Sequence, residues 1–181
     1  EWIAAHRAEM LRDLASLIEV PSVARPGKDG LPYGQECREA LARAEGIARR
    51  LGFVTEVRDD AVLTVQWDDR PVNFAMLSHL DVVPAGEGWT TDPYTLTVDD
   101  TALRGRGVTD DKGPAVAALY AMAAVRELWP DLPRSPRLWL GTAEEIGSPD
   151  LKHDLKNHPM PPYVITPDAV DAIVVGECAK Y

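Results

Sequence analysis

Val72-Asn73-Phe74-Ala75-Met76-Leu77-Ser78 runs without a break into His79-Leu80-Asp81. The first seven residues form a near-continuous apolar run of strand length, the pattern of a strand covered on both faces. A histidine at the end of such a strand stands where open α/β sheets bind ligands, beyond the carboxyl ends of their strands. Residues two apart in extended chain point to the same side. Asp81 is therefore placed to accept a hydrogen bond from the ring nitrogen that His79 does not direct at a ligand.

Two more segments bring carboxylates to strand ends. Leu103-Arg104-Gly105-Arg106-Gly107 closes a short hairpin and leads through Asp110 and Asp111 into a helix expected to begin near Pro114, proline being suited to a first helical position. Free amides and the positive dipole end of that helix favour the two carboxylates, which either cap it or supply one group that bridges two metal ions. Arg137-Leu138-Trp139-Leu140-Gly141-Thr142 is another short apolar strand, with Glu144-Glu145 at its carboxyl end. Adjacent carboxylates in a loop can serve different partners, one a metal and the other an attacking water. A neutral imidazole, a bridging carboxylate, terminal carboxylates and one free carboxylate are the groups a two-metal hydrolase requires. The glycine-rich stretch does not suit a phosphate. Lys112 precedes Gly113 with no Ser or Thr after it, and Asp110 stands where a dinucleotide fingerprint has its last glycine.

The remaining pattern supplies a scaffold. Met10, Leu11, Leu14, Leu17 and Ile18 keep helical spacing up to Val20-Pro21, and a loop runs from Pro26 to Gly34. Cys37, Leu41, Ala44, Ala48 and Leu51 mark a second amphipathic helix, stopped by Gly52. Phe53 to Arg58 and Ala61 to Trp67 form a hairpin around Asp59-Asp60. Trp89 and Pro93 lie in a long loop, where packing or a cleft wall are the alternatives. Ala115 to Trp129 is an alanine-rich helix, Pro130 to Pro136 a loop, and Ala172 to Val175 a final strand. This order predicts an α/β fold, a mixed sheet with helices on its faces.

The segments "SHLDVVPAGEGW", "RGRGVTDDKGP" and "EEIGS" resemble, in this order and spacing, the dinuclear-zinc aminoacylase and dipeptidase metallopeptidases. That family includes carnosinases, bacterial Xaa-His dipeptidases, carboxypeptidase G and succinyl-diaminopimelate desuccinylase. The resemblance runs from about Pro21 to the end and looks most like the bacterial dipeptidase branch, since deacylase branches more often have Met after the first Asp of the second motif. It implies that His79 binds one metal, Asp110 bridges both, Glu144 is the general base, Glu145 binds the other metal and Asp81 supports His79. It also implies a cis peptide between Asp110 and Asp111. A further carboxylate ligand is Asp168 on the dipeptidase pattern, in "TPDA", or Glu177 on the aminoacylase and carboxypeptidase pattern, in "VDAIVVGE". The prolyl context favours Asp168, although Val170-Asp171-Ala172 departs from the aromatic-proline pair expected next.

The implied cofactor is a pair of Zn2+ ions, with Mn2+ or Co2+ also suiting such ligands. The implied substrate is a small peptide. Deacylation of N-acyl amino acids and a non-catalytic fragment are the alternatives. Family members have a lid domain inserted in the catalytic domain, a last histidine ligand near the end of the chain, and dimers formed through the lid. Residues 1–181 are accordingly expected to be the N-terminal portion of the catalytic domain, inactive alone, with lid, last histidine and homodimer belonging to a full-length protein. His153 and His158, five apart after Ser148-Pro149, do not share a helical face and are not expected to replace that ligand.

A chain of 181 residues with 45% apolar content suffices for one packed domain. Its net charge of −10, from 29 acidic and 19 basic side chains, argues against nucleic acid or an anionic membrane as partner. Cys37 and Cys178 form no Cys-x-x-Cys pair. No apolar run approaches membrane-spanning length, and Glu1, His6, Arg7 and Glu9 stand where a signal peptide would have its apolar core, so a cytoplasmic location is expected.

Overall fold

The computed structural model describes residues 1–27 and 30–168. The two amphipathic stripes near the start become α1 (Trp2–Ile18) and α2 (Gln35–Arg50), which bury Leu14, Leu17 and Ile18 and Leu41, Ala44 and Ala48 respectively. Gly52 ends the second helix with a φ of 80°, a left-handed step that lacks a β-carbon penalty. The hairpin follows as β1 (Val54–Arg58) and β2 (Val62–Gln66), turned by Asp59 and Asp60, both at a φ of 51°. Short hairpins favour positive φ, and Asp tolerates it.

β3 (Val72–His79) is the strand that ends in the histidine, and a small separate ribbon of β4 (Thr97–Val98) and β5 (Leu103–Arg104) follows it. Then come α3 (Lys112–Leu128), β6 (Ser135–Gly141), α4 (Pro149–Asp154) and β7 (Tyr163–Ile165). The five-stranded sheet has the order β1-β2-β6-β3-β7, antiparallel on the β1-β2-β6 side and parallel across β6, β3 and β7. Side chains alternate between its faces. Leu63, Val65, Met76, Leu138 and Leu140 join α1, α2 and α3 in the main core, while Val62, Ala75 and Trp139 face Leu151 of α4 on the other side. The expected mixed sheet with helices on its faces is what forms. Leu77 is only half-buried on that side, so β3 is covered less evenly than its apolar run suggested.

Several boundaries differ from the expectation. α3 begins at Lys112, so Pro114 falls at its third position, still within the turn whose amides have no helical partner. Strand β6 starts inside the expected loop and takes in Pro136, at the point where the β3 register slips by one between Val72 and Phe74. A bulge of this kind is where an interior strand accepts proline. His158 lies beyond the end of α4, bonded to Asp154 at 3.0 Å. β7 was not anticipated. The expected strand Ala172–Val175, with Glu177 and Cys178, lies outside the described residues.

Leu140 is fully buried in the middle of the main core. Leu140→Ala is expected to cost about 2–5 kcal/mol in urea unfolding. A loss below about 1 kcal/mol would show that β6 does not bear on that core.

Candidate metal centre

β6, β3 and β7 run parallel, so their carboxyl ends share one edge of the sheet. Onto that edge β3 delivers His79 and Asp81, β6 delivers Glu144 and Glu145, and the chain after β7 delivers Asp168. Asp110 arrives from the loop ahead of α3, through a cis peptide between Asp110 and Asp111, as expected.

His79 is 2% exposed, and three carboxylates surround its Nε2: Asp110 Oδ1 at 2.9 Å, Asp168 Oδ2 at 3.7 Å and Glu144 Oε2 at 4.0 Å. Donor atoms of His79, Glu144 and Asp168 all lie within 4.8 Å of one another, the spacing of groups around a shared cation. The other ring nitrogen, Nδ1, is held by Asp81, at 3.0 Å from its carbonyl oxygen and 3.3 Å from Oδ1. With the Nδ1 proton so engaged, Nε2 is the nitrogen left to give up its proton and face a ligand. It is buried and makes no hydrogen bond among the described residues, even to Asp110, so the donor set suits a cation that imidazole and carboxylates would share.

Asp81 does more than the sequence indicated. Its oxygens also accept the backbone N–H groups of Glu144 and Glu145, each at 3.1 Å, so one fully buried carboxylate positions both the imidazole and the glutamate pair. Glu144–Ile146 forms a 3-10 turn that sends the two glutamates different ways. Glu144 approaches His79, whereas Glu145 Oε1 accepts the Val83 N–H at 3.2 Å.

Asp111 starts α3 but makes no side-chain cap. Its Oδ2 instead accepts the Ser78 hydroxyl and the His79 N–H, the latter at 3.0 Å, tying the loop to the end of β3. Lys112 is fully buried and donates to the carbonyl oxygens of Leu17 and Val20 at 2.9 and 2.7 Å. Burial lowers its pKa to about 7. It points at the end of α1, as a phosphate-binding lysine would not. A β-carbon on Gly107, at a φ of 93°, would press within 3.0 Å of Lys112, so this motif glycine makes room for that tether. Trp89 is 36% exposed, with the Arg106 guanidinium 5.4 Å from its ring, and is not packed in the core.

Burial works against a charged His79, but Asp81, Asp111 and Asp110 outweigh it and raise its pKa to about 10. Burial pushes Asp111 up to about 7, against the hydrogen bonds from Ser78 and His79. Burial, then neighbouring carboxylates acting against the pull of His79, raises Glu144, Glu145 and Asp168. These shifts all favour the protonated forms, the response of crowded carboxylates to too little nearby positive charge. A divalent cation meets the same need, and its binding releases those protons.

The sequence model described as peptidase family M20/M25/M40 matches residues 75–179, more than half of the chain. The chain belongs to this family. It is 33% identical over 180 residues to a beta-Ala-Xaa dipeptidase of Lactobacillus delbrueckii subsp. lactis, covering 98% of this chain and 38% of that protein. It is 31% identical over 176 residues to the putative dipeptidase YtjP of Bacillus subtilis (strain 168), covering 94% and 37%. Among solved structures, human carnosine dipeptidase 1 superposes with a TM-score of 0.74 at 28% identity, over 91% of this chain and 39% of that one. The chain thus spans less than two-fifths of the length of these relatives. The three motifs therefore pointed to the right family. His153 and His158 lie against Asp59 and Asp154, outside the His79 cluster. No helix among the described residues is long and apolar enough to cross a membrane.

Folded His79 keeps its proton up to a pH of about 10, against 6.5 for the free imidazole. The stability this adds to the metal-free chain is complete below 6.5 and disappears as pH rises through 10. Asp111, raised from 3.8 to about 7, acts with the same sign, its contribution being lost as pH rises through 7. The urea midpoint in EDTA is expected to be lower at about pH 9 than at about pH 6, and saturating Zn2+ to offset the loss. A metal-free midpoint that rises across this range would contradict these raised pKa values.

Proposed function

We propose that this chain carries the metal-binding and water-activating groups of a metal-dependent dipeptidase. One observation supports the reading: the buried Nε2 of His79, which makes no hydrogen bond among the described residues, faces Asp110, Glu144 and Asp168 at the shared end of three parallel strands. The dipeptidase names of the relatives that match nearly the whole chain support the substrate class.

His79, Asp110, Glu145 and Asp168 would hold two divalent ions, Zn2+ first among those that suit imidazole and carboxylates, with Mn2+ and Co2+ also acceptable. When bound, the pair supplies Lewis acidity toward a peptide carbonyl and a water molecule. Glu144 would take the proton of that water and hand it to the leaving amine. Its raised pKa suits a group that must both accept and release a proton. Asp81 keeps the His79 tautomer fixed and holds the backbone of Glu144 in reach. On this reading residues 1–181 are the N-terminal portion of the catalytic domain, and the lid, the last histidine ligand and a dimer interface would come from elsewhere in the protein.

In the complete protein, Glu144→Gln is expected to retain about two Zn2+ after dialysis and to lose about 10²–10⁴-fold in kcat. Full turnover by this variant would remove Glu144 from the role of base. His79→Ala and Asp110→Ala are expected to lose bound Zn2+ under the same dialysis. Dipeptides with free amino termini should be cleaved and N-acetyl amino acids should not; the reverse preference would make the protein a deacylase.

A further inference from the structure

Four successive backbone amides follow the end of β6, and each is held by a buried carboxylate. The N–H groups of Thr142 and Ala143 donate to Asp150 Oδ2 at 2.6 and 3.1 Å, and those of Glu144 and Glu145 donate to the two oxygens of Asp81 at 3.1 Å each. Asp150 belongs to none of the three motifs. It stands in the first turn of α4, 2% exposed, where the chain folds back so that the Ser148 N–H reaches the Ala143 carbonyl at 2.9 Å.

The surroundings are shaped to admit this carboxylate. A β-carbon on Gly141 would stand 2.7 Å from Asp150 Oδ2, so the bare glycine lets the side chain lie against the end of the strand. The Thr142 hydroxyl donates to the Ala61 carbonyl at 2.7 Å, which anchors the same residue from the β2 side. Beyond β6 these amides have left the sheet ladder, and a buried amide without an acceptor is costly. Charged acceptors bind amides more strongly than neutral ones. The Thr142–Glu145 backbone therefore has one well-defined position, set from two sides.

We propose that Asp150 is a positioning residue for the reaction. Together with Asp81 it fixes the backbone from which Glu144 and Glu145 project, so that base and ligand keep their places relative to His79. This rests on the dipeptidase reading for the reaction, but not for the effect on metal binding.

The test compares Asp150→Ala and Asp150→Asn with wild type in the complete protein. It measures kcat and KM on a dipeptide, and the affinity and visible absorption band of Co2+ added to metal-free protein well below its unfolding temperature. Asp150→Ala is expected to lower kcat by about 10- to 100-fold with a smaller change in KM, to weaken Co2+ by a similar factor and to shift its band. Asp150→Asn keeps an oxygen for both amides and is expected to recover most of the loss. Wild-type kcat and an unchanged Co2+ band in Asp150→Ala would overturn the proposal, as would an Asp150→Asn variant impaired as much as Asp150→Ala. If Asp150→Ala fails to fold, Gly141→Ala, which crowds the carboxylate off the amides, is judged by the same measurements. If wild type cleaves no dipeptide, the functional reading fails while the Co2+ affinity and band still decide on Asp150.

Discussion

The parallel pairing of β3 with β6 is the constraint on which the site depends. It sets His79 opposite Gly141, and the Leu80 N–H carries the register one step further by donating to the Gly141 carbonyl at 2.8 Å. Side chains alternate along a strand, so a slip of one residue would turn His79 away from the glutamates and move Met76 and Leu138 out of the main core. Parallel neighbours also need a long crossover, which α3 provides between β3 and β6. The loop entering that crossover is the one that carries Asp110. One topological requirement therefore brings imidazole, glutamates and the bridging candidate to the same edge.

Holding acidic groups there requires buried ionisable side chains, and the backbone supplies partners to each of them. Asp81, Asp111 and Asp150 each accept main-chain N–H groups, and Lys112 donates to main-chain carbonyls. Asp81 uses both of its oxygens in this way, whereas Asp111 and Asp150 use Oδ2 and leave Oδ1 buried without a hydrogen bond among the described residues; each bond that is made fixes conformation, because breaking it leaves a polar group without water. The carboxylates around His79 Nε2 differ. Glu144 is directed at neighbouring donor atoms, and Asp110 and Asp168 at the same nitrogen, which leaves room for positive charge from outside the chain.

Much of this was legible in the sequence. The apolar run before His79, the Asp59-Asp60 turn and the two early helices are local patterns, and local patterns survive into the fold. Motif resemblance led to the family and to the cis peptide at Asp110. What escaped depended on contacts between distant segments. β7 is only three residues long, with Tyr163 and Ile165 exposed, so no periodicity could announce it. Pro136 looked like a loop residue because the bulge that accommodates it lies in the partner strand. Asp150 carried no signal in the sequence, since an acidic residue in the first turn of a helix has an ordinary surface role, and only the fold brings Gly141 and the Thr142 amide to it. The spacing of His79 and Asp81 suggested one hydrogen bond but not the two glutamate amides more than sixty residues away.

The glutamate pair shows why adjacency in sequence need not mean a shared task. Successive side chains on a 3-10 turn diverge by about 120°, since three residues complete a turn. Glu144 and Glu145 occupy such a turn, so Glu144 faces the histidine while Glu145 reaches the Val83 amide. A β-strand would have split them across the sheet, and an isolated loop would have left both free. Anchored by Asp81 beneath and Asp150 behind, the turn holds two like charges close together without letting either take the place of the other. On the proposed reading, base and ligand would be distinguished by backbone geometry, and the side chains themselves can be identical.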